Sequence, residues 1–312
     1  MFEKSFNFYS PINIKTYNLD KEVQYQLESL GNFDPFTKRH SENVGNLVCR
    51  ICEYLHCTNS FTVYCTICGY MHDVGKLFIP KNILNKPSKL TDEEYEIMKQ
   101  HTTLGYNMCI KDVKLRPYAI GALCHHEALD GTGYPKGLTK KDIPYEAQII
   151  RVADEYDAIV TKRQYTTHVN ISETLRDLIK DTKPDPKFCA LDNLAQKEKT
   201  GKINSTILKK LFKVVIDDTL YEISFNMDYM DYLKEQIKRL ELIKKYQDKS
   251  DNSNKEKTKS YYTEGMKLLF QDGENFDNYI QILSEYRQAL ENKKEVIQKL
   301  YDEIKIIKKL KV

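Results

Sequence analysis

A chain of 312 residues, 41% hydrophobic and 30% charged, reads as a charged globular protein with room for one large domain or two ordinary ones. A net charge of +3, with no basic domain, argues against duplex nucleic acid as the main partner, although the far C-terminus is Lys-rich. No apolar run approaches the roughly 18–20 residues that span a bilayer, and "MFEKSFNFYSPINIK" lacks a signal-peptide core. The expectation is a cytoplasmic location without a membrane partner.

The periodicity is helical almost throughout. Asp34-Pro35 suits the cap and first turn of a helix carrying Val44, Leu47, Val48, Ile51 and Leu55 on one face. A second helix covers 60–74, and "FIPKNILNKPSKL" after it is a Pro-marked loop. Thr91 with Glu94 forms a capping box that opens a helix to 109. Pro117 opens another over 116–128, and "DGTGYPKGL", 130–138, is loop. Helices follow near 145–160 and 171–180. Residues 181–201, Pro- and Lys-rich, read as an irregular excursion.

A helix over 203–223 then buries Ile207, Leu208, Leu211, Val214 and Val215. Met230, Leu233, Ile237 and Leu240 step by three and four, and 248–260 is a polar linker. Tyr279, Leu283, Tyr286, Leu290, Ile297, Leu300, Ile304 and Ile307 keep a heptad rhythm that Lys293 breaks once. That pattern predicts a coiled coil of about four heptads. It serves either as a homodimer interface or as a surface that docks back on the preceding bundle. With no β-alternation, the predicted fold is all-α. The predicted domains are an N-terminal segment 1–33, a catalytic domain 34–225 and a C-terminal helical region 226–312.

Polar residues recur where core residues belong. His40 falls on the Val44–Leu47–Ile51 stripe, and His72 follows Tyr64 and Cys68 on an apolar face. His101 shares a face with Ile97, Leu104 and Met108, His125 and His126 end the run "AIGALC", and Asp154 lies between Ile150 and Ala158. Burying so many polar groups without partners costs several kcal/mol each. A shared metal centre removes that cost. The adjacent pair His72-Asp73 poses the same choice: neighbours on a helix point about 100° apart, so they converge around an ion or they form a buried hydrogen-bonded pair. Imidazole with carboxylate and no thiolate suits iron, manganese or zinc. The cysteines read as reduced thiols, and Cys65-x-x-Cys68 as core packing rather than half a zinc site.

These residues carry a resemblance. His72-Asp73-x-Gly75-Lys76, "IPKNIL", His101-x-x-x-Gly105, His125-His126-Glu127, "DGTGYP", Ile143-Pro144 and "VADEYDAI" follow in order. From Asp34 to Ile223 the chain resembles the HD-GYP family of metal-dependent cyclic dinucleotide phosphodiesterases. The resemblance implies an HD-type helical bundle around two divalent transition metal ions, iron or manganese first and zinc as an alternative. It implies that His40, His72, Asp73 and Asp154 hold one ion, and that Asp73 bridges to a second held by His101, His125 and His126. The activity implied is hydrolysis of cyclic di-GMP to pGpG or GMP by a water activated between the ions, with cyclic GMP-AMP accepted by some members.

Within that frame Lys76 is the counter-charge to the reacting phosphate, where it could otherwise be a surface lysine at a helix end. Arg163 either clamps the second phosphate or is solvated. Tyr134 either stacks on the substrate or packs in its loop. Asp34 contacts substrate or caps a helix. Three departures stand out. Phe36 occupies the position where some members carry a Glu ligand for a third metal, so two ions are expected. Arg163-Gln164-Tyr165-Thr166 stands where Arg-Pro-Tyr-Arg is frequent. The 181–201 stretch is longer than the usual connection. A sensor or scaffold that binds the dinucleotide and signals through the C-terminal helices is the alternative to an enzyme. A phosphohydrolase of another nucleotide is disfavoured by "DGTGYP".

Overall fold

Side-chain caps start the bundle. Asp20 accepts from the Glu22 amide at 2.9 Å and opens α1, Lys21–Phe33. Asp34 accepts from the Thr37 amide at 3.0 Å and opens α2, Pro35–Tyr54, with Pro35 in the first turn. Our computed structural model describes residues 19–164, 171–184 and 200–312, excluding the side chains of 161–164. Val23, Leu27 and Leu30 recur at helical spacing on α1, and all are buried. Val23 and Leu27 pack with Tyr70, Met71 and Leu115. The expected boundary at 33/34 therefore runs through one core.

Thr58 caps α3, Asn59–Met71. This helix stops short of 74, and a 3-10 turn, Val74–Phe78, takes over. His72 and Asp73 thus sit at the change of winding. Gly75 makes the turn's position possible. A Cβ there would lie 1.9 Å from the His101 carbonyl oxygen and 2.5 Å from the Gly105 amide nitrogen. Only glycine lets this turn lie against the helix that carries His101 and Gly105.

A short helix α4, Lys81–Leu84, interrupts the Pro-marked stretch. The Thr91–Glu94 capping box is formed and opens α5, Asp92–Lys99. The helix expected to run on to 109 is broken at Gln100, whose amide bonds the Ile97 carbonyl three residues back; α6, His101–Lys111, follows. Residues 116–118 form a 3-10 turn and α7 covers Ala119–Cys124, shorter than the expected 116–128. The "DGTGYPKGL" loop is organised by Glu127, whose carboxylate accepts from the amides of Lys136 at 2.7 Å and Leu138 at 2.8 Å. Among the described residues the β-pairing is one isolated bridge, Asp130 with Thr139.

Helix α8 covers Tyr145–Gln164 and α9 covers Ile171–Asp181. Residues 185–199 of the expected excursion lie outside the described residues. Helix α10, Ser205–Asp251, is a continuous 47-residue helix. It passes straight through the expected boundary at 225/226 and into the expected linker, leaving only 252–255 before α11, Glu256–Leu269. Helix α12, Tyr279–Lys309, closes the chain.

Two compact units result. One comprises the residues to Asp217 together with Ile307–Val312. Its largest core joins Val44, Val48 and Ile51 to Ile149, Ile150, Leu175, Leu208, Leu211 and Ile307. Cys65 and Cys68 are buried in that core. The described cysteines are all free, and burial pushes the Cys68 thiol well up. The other unit, Asp218–Ile306, packs Leu240, Ile243, Met266, Tyr279 and Leu283 together. Arg239 grips both oxygens of Glu274 at 2.5 and 2.6 Å. Part of the heptad stripe on α12 is therefore buried within this unit. Among the described residues no helix is long and apolar enough to cross a membrane.

Candidate metal centre

The candidate donors come from five places in one bundle. His40 lies on α2, His72 and Asp73 at the end of α3, His101 at the start of α6, His125 and His126 just past α7, and Asp154 on α8. His72, Asp73, His101, His125 and Asp154 are buried, and His40 and His126 are half-buried.

Backbone carbonyls orient three of the imidazoles. His72 Nδ1 lies 2.7 Å from the Gly69 carbonyl oxygen, His101 Nδ1 2.7 Å from that of Met98, and His125 Nδ1 2.9 Å from that of Ala122. A carbonyl can only accept, so each Nδ1 carries the proton. With Nδ1 committed to a carbonyl, each ring turns its Nε2 inward, and burial disfavours charge on His101 and His125. His101 Nε2 and His125 Nε2 face each other at 3.1 Å. His72 Nε2 and Asp73 Oδ1 are buried with no hydrogen-bond partner. Orphaned buried acceptors cost about 1–3 kcal/mol each, and a cation satisfies all of them. The donor set fits metal ions on this ground.

Asp73 sits between two groups of rings. Its Oδ2 is 3.3 Å from His72 Nε2 and 3.6 Å from His40 Nε2. Its Oδ1 is 3.5 Å from His101 Nε2 and 3.9 Å from His125 Nε2. Lys76 Nζ donates to Asp73 Oδ2 at 2.5 Å. Burial alone would push the Asp73 carboxyl up; the Lys76 ammonium and the surrounding imidazoles hold it well below the usual carboxylate range. Donor atoms of His40, His72 and Asp73 gather in one group, those of His101, His125 and His126 in a second, and those of His72, His125 and Asp154 in a third.

The His40 side is held differently. His40 Nδ1 lies 2.7 Å from Asp157 Oδ2, and Asn43 Nδ2 donates to Asp157 Oδ1 at 3.1 Å. His40 Nε2 is 3.0 Å from Asp154 Oδ1. Burial works against charge on this ring, but Asp154 and Asp157 outweigh it and raise its pKa to about 10. Burial, by contrast, pushes His101, His125 and His126 down. Asp157 and Asn43 escape the sequence reading. Their signal is spacing: each lies three residues beyond a donor, Asp154 or His40, on the same helix face.

His126 is fixed by its neighbours. Its ring stacks on Tyr134, with centroids 4.8 Å apart. Its carbonyl accepts from the Tyr134 amide at 3.1 Å and from Arg151 NH1 at 3.0 Å. Tyr134 thus packs one face against a donor ring. Gly133 permits this loop path, because a Cβ there would lie 2.2 Å from the Ala128 amide nitrogen. Asp34 is buried, and its Oδ2 is taken by the Thr37 amide and by the Thr37 hydroxyl at 2.5 Å. The structure brings together His40, His72, Asp73, Lys76, His101, His125, His126, Tyr134 and Asp154. Arg163 falls in the last turn of α8, and its side chain lies outside the described residues.

An all-helical bundle with a His-Asp pair at its centre defines the class: residues 26–187 match the HD domain, and the chain belongs to that family. Curated relatives give more detail. The chain is 42% identical over 160 residues to the cyclic di-GMP phosphodiesterase of Thermotoga maritima, a match that covers 50% of this chain and 44% of that protein. It is 36% identical over 149 residues to cyclic di-GMP phosphodiesterase PdeB of Borreliella burgdorferi, covering 48% of this chain and 39% of that protein. It is 32% identical over 141 residues to 3'3'-cGAMP-specific phosphodiesterase 3 of Vibrio cholerae, covering 45% and 31%. In each case the match spans less than half of the relative's length. The family expected from the motifs is borne out.

Proposed function

We propose that this chain is a metal-dependent phosphodiesterase that hydrolyses cyclic di-GMP to pGpG or GMP. One observation carries the reading: the two oxygens of Asp73 turn toward two different sets of imidazoles, each presenting its Nε2 to the carboxylate. In this reading His40, His72, Asp73 and Asp154 hold one divalent ion, and His101, His125 and His126 share Asp73 with a second. Iron or manganese is the first choice, zinc the alternative. Bound there, the ions supply Lewis acidity and a water acidic enough to attack phosphorus near neutral pH.

The chain's own residues do the rest. Lys76, which pairs with Asp73 in the structure, is placed to shift its ammonium onto a phosphate oxygen and to meet charge as it grows there. Asp157 fixes the His40 ring so that Nε2 faces inward. Tyr134 and Arg151 hold His126 against the site. Asp34 supports the entry of α2 from its cap. The substrate class rests on the relatives named above, two of which carry cyclic di-GMP in their names.

The test is to load the purified chain anaerobically with Mn²⁺ or Fe²⁺, add cyclic di-GMP and separate the products. Formation of pGpG or GMP, abolished by Asp73→Ala, is expected. Tight binding without turnover would instead make the protein a sensor. Turnover of a different nucleotide alone would move it to another substrate class.

A further inference from the structure

The last turn of α5 borders the donor cluster. Tyr95 and Lys99 stand one turn apart on it. The break at Gln100 ends this helix two residues before His101, and the Thr102 hydroxyl fixes the turn by donating to the Lys99 carbonyl at 2.9 Å. Tyr95 is 46% exposed. Its ring meets that of Tyr134 edge-on with centroids 6.4 Å apart, and Tyr134 stacks on His126. The Lys99 ammonium lies 5.2 Å from the centre of the Tyr95 ring and 5.7 Å from that of Tyr134. Its carboxylate partner is Glu96, whose side chain is 68% exposed. Lys99 itself is partly buried, but with its carboxylate partner this open to solvent the pair is weak, and a phosphate can displace Glu96 from it.

We propose that Tyr95 and Lys99 form a clamp for the half of a cyclic dinucleotide that is not being cleaved. This rests on the phosphodiesterase reading above. A cyclic dinucleotide carries two phosphates in one ring. When one lies at the donor cluster beside Lys76, the other lies outward and needs a cation. Lys99 supplies it, at the outer edge of the wall that His126 and Tyr134 form. The adjoining purine needs a flat partner, and the exposed Tyr95 ring offers one. Glu96 acts in the opposite sense, holding Lys99 away from the phosphate until substrate arrives.

The probe is a phosphorothioate-linked analogue of cyclic di-GMP that resists hydrolysis, titrated calorimetrically into the Mn²⁺-loaded full chain. Lys99→Met is expected to weaken binding about tenfold, by loss of a charge-assisted contact. Lys99→Arg should restore it to within about threefold, and Tyr95→Leu should weaken it about tenfold through lost stacking. Glu96→Gln should tighten it about twofold by releasing Lys99. Manganese content is measured on every variant, since a merely structural defect would lower it together with affinity. The clamp is overturned if Lys99→Met and Tyr95→Leu both bind within twofold of wild type, or if both lose manganese. If wild type binds the analogue but leaves cyclic di-GMP intact, the phosphodiesterase reading falls while the variants still decide the clamp. If wild type binds no analogue, both fall.

Discussion

The two sides of the donor cluster are built by different means. On the His101–His125 side, main-chain carbonyls fix the rings, and burial keeps them neutral. On the other side His72 is likewise held by a main-chain carbonyl, but a second layer of side chains, Asp157 and Asn43, fixes the His40 ring and draws a proton onto it. The first side is preorganised by helix geometry and is ready for a cation at neutral pH. The second must exchange a proton for one. Asp73 belongs to both, with one oxygen toward each.

The largest effect expected from this contrast comes from Asp73. Asp73→Ala should empty both sides together, with metal content near zero by elemental analysis; retention of one full equivalent would show that the sides are independent. Asp157→Ala should act on one side alone. Loss of a carboxylate behind a ligating histidine costs about 10–100-fold in metal affinity, so chelator competition should show one weakened site and one of wild-type strength. Equal weakening of both would break the contrast.

A smaller effect should appear in the pH dependence of the metal-free protein. His40 titrates at about 10 in the fold against 6.5 for the free group. Its stabilisation is complete below 6.5 and is lost as pH rises toward 10. His101, His125 and His126 titrate below 6.5 in the fold. The unfolded chain therefore binds their protons first, and stability falls as pH drops below 6.5. Asp73 and Asp154, held below 3.8, titrate outside this range. Urea midpoints between pH 5 and 10 should peak near 6.5 in chelator, and Mn²⁺ should flatten the alkaline limb. A midpoint that rises steadily to pH 9 would sink this account of His40.

The donors were legible in the sequence because imidazoles on apolar helix faces contradict the hydrophobic pattern around them. Asp157 and Asn43 were not, since a polar residue three places along a helix from another looks like an ordinary solvated face. The all-α class followed from periodicity, but the breaks did not. Gln100 keeps helical dihedrals and is flanked by helix formers, so nothing local announces the change from α5 to α6. The long α10 hides the opposite error: a composition shift near residue 225 and a Lys-rich polar run beyond it do not stop a helix when no glycine or proline intervenes. The recognisable motifs begin at Asp34, so nothing in them reaches back across the expected 33/34 boundary, although Val23, Leu27 and Leu30 form a buried stripe before it.

Gly75 leaves the winding after Asp73 in direct backbone contact with the residue that begins α6. The gap between the carboxylate and the His101 ring is thus set by peptide against peptide, with no side chain to yield. In the proposed site an ion of unusual radius would shift His40 first, because that ring is held through side chains, Asp157 and behind it Asn43, and not by main chain. Discrimination among cations by size would then be read first as displacement of that one ring.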